Sequence, residues 1–189
     1  MEELSTRDQL IQAGIQELNQ YGLRNFSIRR VAKQCGVSCA APYRHFADRH
    51  EFILQIFQYI NAQCYARQVA VLKKYRNASY RTQLFQVAID YIHFLVEHPM
   101  FRQIVMQNYQ HQDEAYRTAR RQFSARIYMV ASKYCREVGM DEETRRRKTF
   151  MVRSIIYGAA LFFDNGELTY DEENMQMVAD MLNREFDLP

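Results

Sequence analysis

Arg29 and Arg30 follow Ser27 in the stretch SIRRVAKQCGVSCAAPYRHF, residues 27–46, whose side chains suit hydrogen bonding to a polyanion. On the wet face of a helix, the Arg29 guanidinium can reach a guanine edge by two parallel hydrogen bonds. Ser27 and Arg30 stand at the helix start, where backbone donors add to theirs, and suit phosphate oxygens. Ser38, Cys39, Ala40 and Ala41 are small. They permit close approach to base edges, and alanine methyls can meet a thymine methyl, but they supply few hydrogen bonds, so direct base reading by this segment should be sparse. Tyr43, Arg44 and His45 form a phosphate-gripping set. Cys35, Cys39, His45 and His50 raise the possibility of zinc, but only five residues separate Cys39 from His45 where a finger needs about a dozen, and Cys35 belongs to an apolar stripe. No metal is expected. The chain has no glycine-rich phosphate loop and no nucleophile elbow, and Asp141, Glu142 and Glu143 are sufficiently explained as a helix start. Neither catalysis nor a cofactor is expected.

Two helices and a tight turn must position these groups. Ile28, Val31, Ala32 and Cys35 recur at i, i+3, i+4 and i+7 behind the Ser27 cap and build one buried stripe. Gly36 supplies the left-handed residue that ends this helix, Val37 drops toward the core, and Ser38 opens the next helix. So short a connection makes the second helix cross the first steeply, the helix-turn-helix geometry that lays its second helix in a DNA major groove. Pro42 lacks a backbone donor and biases Ala41 away from helical geometry, so the first turn of that second helix is expected to be distorted. Ahead of the pair, Leu10, Ile11, Gly14, Ile15 and Leu18 form the stripe of a helix that starts at Ser5 and ends at Gly22.

In these residues the chain resembles the TetR family of bacterial transcriptional regulators. The likeness runs through LIQAGIQELNQYG, FSIRRVAKQCGVS and YRHFADRHEF in the family's order and spacing, and covers about the first quarter of the chain. It implies a DNA contact at Arg29 and a backbone clamp by Tyr43, His45 and Arg49. Pro42 departs from the leucine often found there in the family. The resemblance further implies that the long helix opened by Asp48 and Glu51, about 40 Å if it runs from Arg49 to about Arg76, links a DNA-binding domain to a regulatory one.

The remainder reads as helix throughout, because three prolines and six glycines leave few breakers and valine-threonine alternation is nearly absent. The expected fold is all-α with about nine helices: a helix-turn-helix domain at 1–47 and a ligand-binding and dimerisation domain at 48–189. Residues 1–50 carry seven Lys and Arg against five Asp and Glu, so placement of charge matters more than its total. Four cysteines form no dense framework, no secretory signal pattern opens the chain, and the longest apolar run is far too short to span a bilayer. The expectation is a cytoplasmic protein with reduced thiols and no membrane partner.

From Phe150 to Phe163 apolar residues nearly encircle the helix, which must therefore be covered on all sides. Together with the stripe of the last helix, for which Thr169 and Glu172 form a capping box, this predicts a homodimer through Ile155, Gly158, Ala159, Phe162, Val178 and Leu182. Tyrosine, phenylalanine and methionine are abundant in the second half, and Tyr91, Phe94, Phe123 and Tyr128 are the expected wall of a pocket for an unidentified small-molecule effector. The expected function is a small-molecule-responsive repressor on a palindromic double-stranded operator. The alternatives are a helical dimerisation or protein-interaction module without specific DNA binding, and an effector-independent regulator or activator.

Overall fold

Ser5 accepts a hydrogen bond from the Asp8 amide at 3.2 Å and so starts α1 (Thr6–Tyr21), which stops at Gly22 with a positive φ. The same logic sets the other boundaries in the computed structural model, which describes residues 5–106 and 127–187. Ser27 caps α2 (Ile28–Gln34); Asp48 accepts the Glu51 amide at 2.8 Å at the start of α3 (Arg49–Lys74). Ser79 caps α4 (Tyr80–Glu97), and α5 (Pro99–Met106) begins with proline, where a missing amide costs nothing. α6 is described over 127–137; the start expected for it near Gln112 lies outside the described residues. Asp141 caps α7 (Glu142–Asn165) and Asp171 caps α8 (Glu172–Phe186). Thr169 was the expected cap of α8; instead the Asp171 carboxylate, two residues nearer the orphan donors, accepts the Asn174 amide at 2.9 Å. The fold is all-α, with no strand among the described residues.

Packing divides the chain into two units, and α3 contributes to both. The first gathers the described residues before Cys64 with α5. Its centre is aromatic: Phe46 stacks on Phe52 at 4.0 Å and Phe26 meets Phe52 edge-on at 5.5 Å. α1 lies so close to α3 at Gly14 that a Cβ there would sit 2.6 Å from Ile56 Cδ1.

The second unit gathers Cys64–His98 with the described residues from 127 onward. Here α4 packs on α7 and α8, and Leu84, Val130, Tyr134 and Phe186 form a buried cluster. The last carbonyls of α8 are satisfied from outside: Lys148 donates to Glu185 and Asp187 at 3.0 Å, and Arg81 to Asn183 at 3.0 Å. His98 ends α4 with its ring 4.3 Å from that of Phe94, and burial holds its pKa below the usual histidine value. Because the folded state disfavours the proton, this histidine's stabilising effect is present above the unfolded pKa of about 6.5 and is lost as pH falls below it. The urea midpoint should therefore drop between pH 7.5 and 5.5, and His98→Gln should flatten that drop.

Candidate nucleic-acid interface

The site begins with the start of α2. Ser27 Oγ accepts the Arg30 amide at 3.4 Å, Ile28, Val31 and Ala32 are buried beneath, and Arg29 and Lys33 point to solvent. Arg29 makes no hydrogen bond or ion pair with the described residues, so its donors are available to a ligand. Gly36 has φ +67°, and the Val37 amide bonds back to the Ala32 carbonyl at 3.0 Å, which closes the turn as its glycine predicts.

The second element of the motif is a 3-10 turn, Pro42–Arg44, in place of the expected helix. Pro42 explains it. A helical bond from residue 42 to the Ser38 carbonyl is impossible without an N–H, so the Ala41 amide takes that carbonyl at 2.9 Å and the Arg44 amide takes the Ala41 carbonyl at 3.1 Å. Pro42 and Phe46 are buried and pin the turn to the core, while Tyr43, Arg44 and His45 remain exposed. Ser38, Cys39 and Ala40 are exposed and Ala41 is half-buried. The structure therefore gathers the small residues and the exposed Tyr43, Arg44 and His45 on one short, outward segment.

Two expected phosphate ligands are otherwise engaged. Arg49 donates to the carbonyls of Phe26 at 3.2 Å, Arg24 at 3.4 Å and Leu23, with its guanidinium 5.9 Å from the centre of the Phe26 ring. It thus ties the turn between α1 and α2 to the start of α3. Arg49→Ala should cost roughly 2–3 kcal/mol of stability, several charge-assisted bonds being lost at once. Thermal and urea unfolding would show this, and Arg49→Lys, lacking the fork, should recover little of it.

Arg30 is paired with Glu17, which raises the Arg30 pKa further, and its guanidinium lies 4.2 Å from the Tyr21 ring centre. Glu17 was not among the residues singled out from sequence, although a carboxylate inside the apolar stripe of α1, one residue before Leu18, was a usable signal. Cys35 is half-buried and donates to the Gln9 carbonyl at 3.6 Å, and burial pushes its thiol pKa up, which makes it a poor metal ligand. Among the described residues no group of three His, Cys, Asp or Glu side chains could hold a metal ion, and no helix is long and apolar enough to cross a membrane.

Of the expected effector wall, Tyr91 and Phe94 are buried in the second unit, Tyr128 is exposed, and Phe123 lies outside the described residues. Tyr91 and Phe94 thus face the core of their unit, while Tyr128 faces solvent. An open groove of about 700 Å³ runs instead between α4 and α8, with Phe85, Ile89 and Met175 apolar and Asp171, Glu172 and Asp180 acidic along it. Of the expected dimer residues, Ala159, Val178 and Leu182 are buried within the protomer, Ile155 and Gly158 are half-buried, and Phe162 is exposed. The large apolar side chains that α7 and α8 turn outward are Phe150, Met151, Leu161, Phe162, Met177 and Met181. A Cβ on Gly158 would meet nothing within 4 Å, so nothing inside the protomer requires a glycine there.

Residues 10–56 match the family model described as bacterial regulatory proteins, tetR family. In fold, the chain is similar to a TetR family transcription regulator from Marinobacter aquaeolei VT8, with 18% identity, coverage of 95% of this chain and 94% of that one, and a TM-score of 0.75. It is also similar to the transcriptional regulator FadR from Bacillus subtilis, solved in complex with stearoyl-CoA, with 15% identity, coverage of 95% and 97%, and a TM-score of 0.74. A tetR-family transcriptional regulator from Streptomyces coelicolor gives 17% identity, coverage of 98% of this chain and 80% of that one, and a TM-score of 0.70. No curated protein matches the chain.

Proposed function

With residues 10–56 matched to the TetR family, we propose that the chain is a dimeric repressor that binds a palindromic operator through a DNA-binding domain at 1–47 and releases it when the domain at 48–189 takes up a small molecule. The observation that carries this is the segment Ser38–His45, small and exposed at its start, cationic and aromatic at its end, and pinned by buried Pro42 and Phe46. Small side chains let the backbone approach base edges while Tyr43, Arg44 and His45 meet phosphates; Arg29, unencumbered, is the candidate for direct reading of a guanine. Selection of binding sites from genomic DNA tests the proposal, and absence of any preferred, two-fold site would refute it. Arg29→Ala is expected to cost about 1–3 kcal/mol on the selected site and to relax preference at one base pair. An unchanged preference would remove Arg29 from direct readout.

The outward apolar residues of α7 and α8 support the homodimer, and the open space over Gly158 suits close approach of a partner helix. A two-fold assembly then sets two half-sites about one helical turn apart or somewhat more. For the effector, the Bacillus relative's acyl-CoA is one class to test. The groove between α4 and α8 favours a different one, because Asp171, Glu172 and Asp180 repel a polyanion and suit an apolar or aromatic cation. A ligand acts only through its differential affinity for the two arrangements of the dimer, and a coupling of roughly 1–3 kcal/mol would weaken operator binding about 5- to 150-fold. Calorimetry and operator release measured on the same compounds test this. Tight binding without release would leave an effector-independent regulator.

A further inference from the structure

A helix that starts with serine at its cap is completed by a Glu or Gln three residues on, whose side chain accepts the cap residue's own amide. In α2 the cap is Ser27, and the position three residues on holds Arg30, which has no acceptor. The missing acceptor comes from another helix. Glu17 of α1, only 3% exposed, accepts the Ser27 amide at 3.0 Å and Arg30 Nε at 2.8 Å on the same oxygen, and a second Arg30 nitrogen pairs with that oxygen as well. Arg30 also donates to the Asn25 carbonyl and lies over the Tyr21 ring. Its Nε and one of its two terminal nitrogens are thereby directed into the turn between α1 and α2, although the side chain is 44% exposed. The carboxylate lies at the positive end of α2, where it offsets part of the field a phosphate would otherwise meet.

We infer that Glu17 is a positioning residue for nucleic-acid binding: it completes the cap of α2 across two helices and withholds Arg30 from phosphate, leaving Arg29 as the working cation at that helix start. This rests on the DNA-binding reading above. The consequence is a count. Each phosphate neutralised by a lysine or arginine contributes about 0.9 to the slope of log affinity against log salt, so a withheld arginine contributes nothing.

The test is binding of a random-sequence duplex, followed by fluorescence anisotropy between 50 and 200 mM KCl, with folding checked by circular dichroism. On a random-sequence duplex Arg29 has no fixed guanine to read and meets phosphate instead, so R29Q should flatten the slope by up to about 0.9, whereas R30Q should leave it unchanged. E17Q loosens the hold on Arg30 and should steepen the slope by up to about 0.9, with several-fold tighter binding at 50 mM salt. The double variant E17Q/R30Q should return to the wild-type slope, and it supplies the comparison if R30Q alone does not fold. Flattening by R30Q equal to that by R29Q would overturn the proposal, because Arg30 would then be meeting phosphate. So would a slope steepened by E17Q to the same extent with and without Arg30, which would mark a general charge effect, or an E17Q variant that binds more weakly at an unchanged slope, which would mark a purely structural carboxylate. Failure of the wild-type protein to bind any duplex would overturn the DNA-binding reading and this proposal together, whereas the R30Q result alone leaves that reading intact.

Discussion

Phe52→Ala is expected to lower the stability of the protein by about 3–5 kcal/mol, the largest loss from any single substitution considered for the first unit. The side chain is fully buried, stacked on Phe46 at 4.0 Å and met edge-on by Phe26 at 5.5 Å. These neighbours hold two approaches to the site, since Phe26 leads into the Ser27 cap and Phe46 closes the 3-10 turn. Removing the ring leaves a cavity beneath both, and adds the loss of aromatic contacts worth about 0.5–1.5 kcal/mol each to the transfer term. The urea midpoint should fall by more than about 1 M at an unchanged slope, and DNA affinity should fall with it. Phe52→Leu, which fills most of the space, should lose less than about half as much. Equal stability of the alanine variant would mean that the aromatic cluster does not anchor the motif.

Phe162→Asp should convert the proposed dimer to monomer while the protomer stays folded. That separation is possible because Phe162 is 43% exposed on α7, so its own core loses little when it is replaced. In a two-fold interface each change occurs twice, and burying an unpaired carboxylate costs several kcal/mol. A total of about 4 kcal/mol or more raises the dimer dissociation constant roughly 1,000-fold. Sedimentation at micromolar concentration should show the monomer, with the helical circular dichroism retained. Operator affinity should fall steeply, because a single half-site no longer benefits from its tethered twin. A variant that remains dimeric would place the interface elsewhere.

Much of the first unit was legible because its signals are local. The Ser27 cap, the stripe Ile28, Val31 and Ala32, Gly36 after the helix, and a proline that forbids one hydrogen bond each act within four residues, and each did what its chemistry dictates. Arg49 and Arg30 were not legible in the same way. Arg49 is satisfied by main-chain carbonyls more than twenty residues earlier, and carbonyls have no sequence signature. Arg30 is satisfied by a carboxylate on another helix, and surface arginines far outnumber arginines so held. In α8 the period gave Val178 and Leu182 as the apolar face but not what that face covers. That depends on where α4 and α7 lie, and both side chains, expected at a dimer interface, are buried in the protomer's own core.

Ser38, Cys39 and Ala40 sit exposed on a turn whose position is set by buried Pro42 and Phe46. Their side chains therefore carry little of the folding free energy, and substitutions at exposed sites of this kind usually change stability by less than about 0.5 kcal/mol. Selection is thus free to recut the three positions, lengthening one side chain or adding a donor at another, without a compensating change elsewhere. On the proposed DNA-binding reading, a lineage carrying this framework can alter its preferred site at the three positions, while the anchors Pro42 and Phe46 behind the turn have to stay.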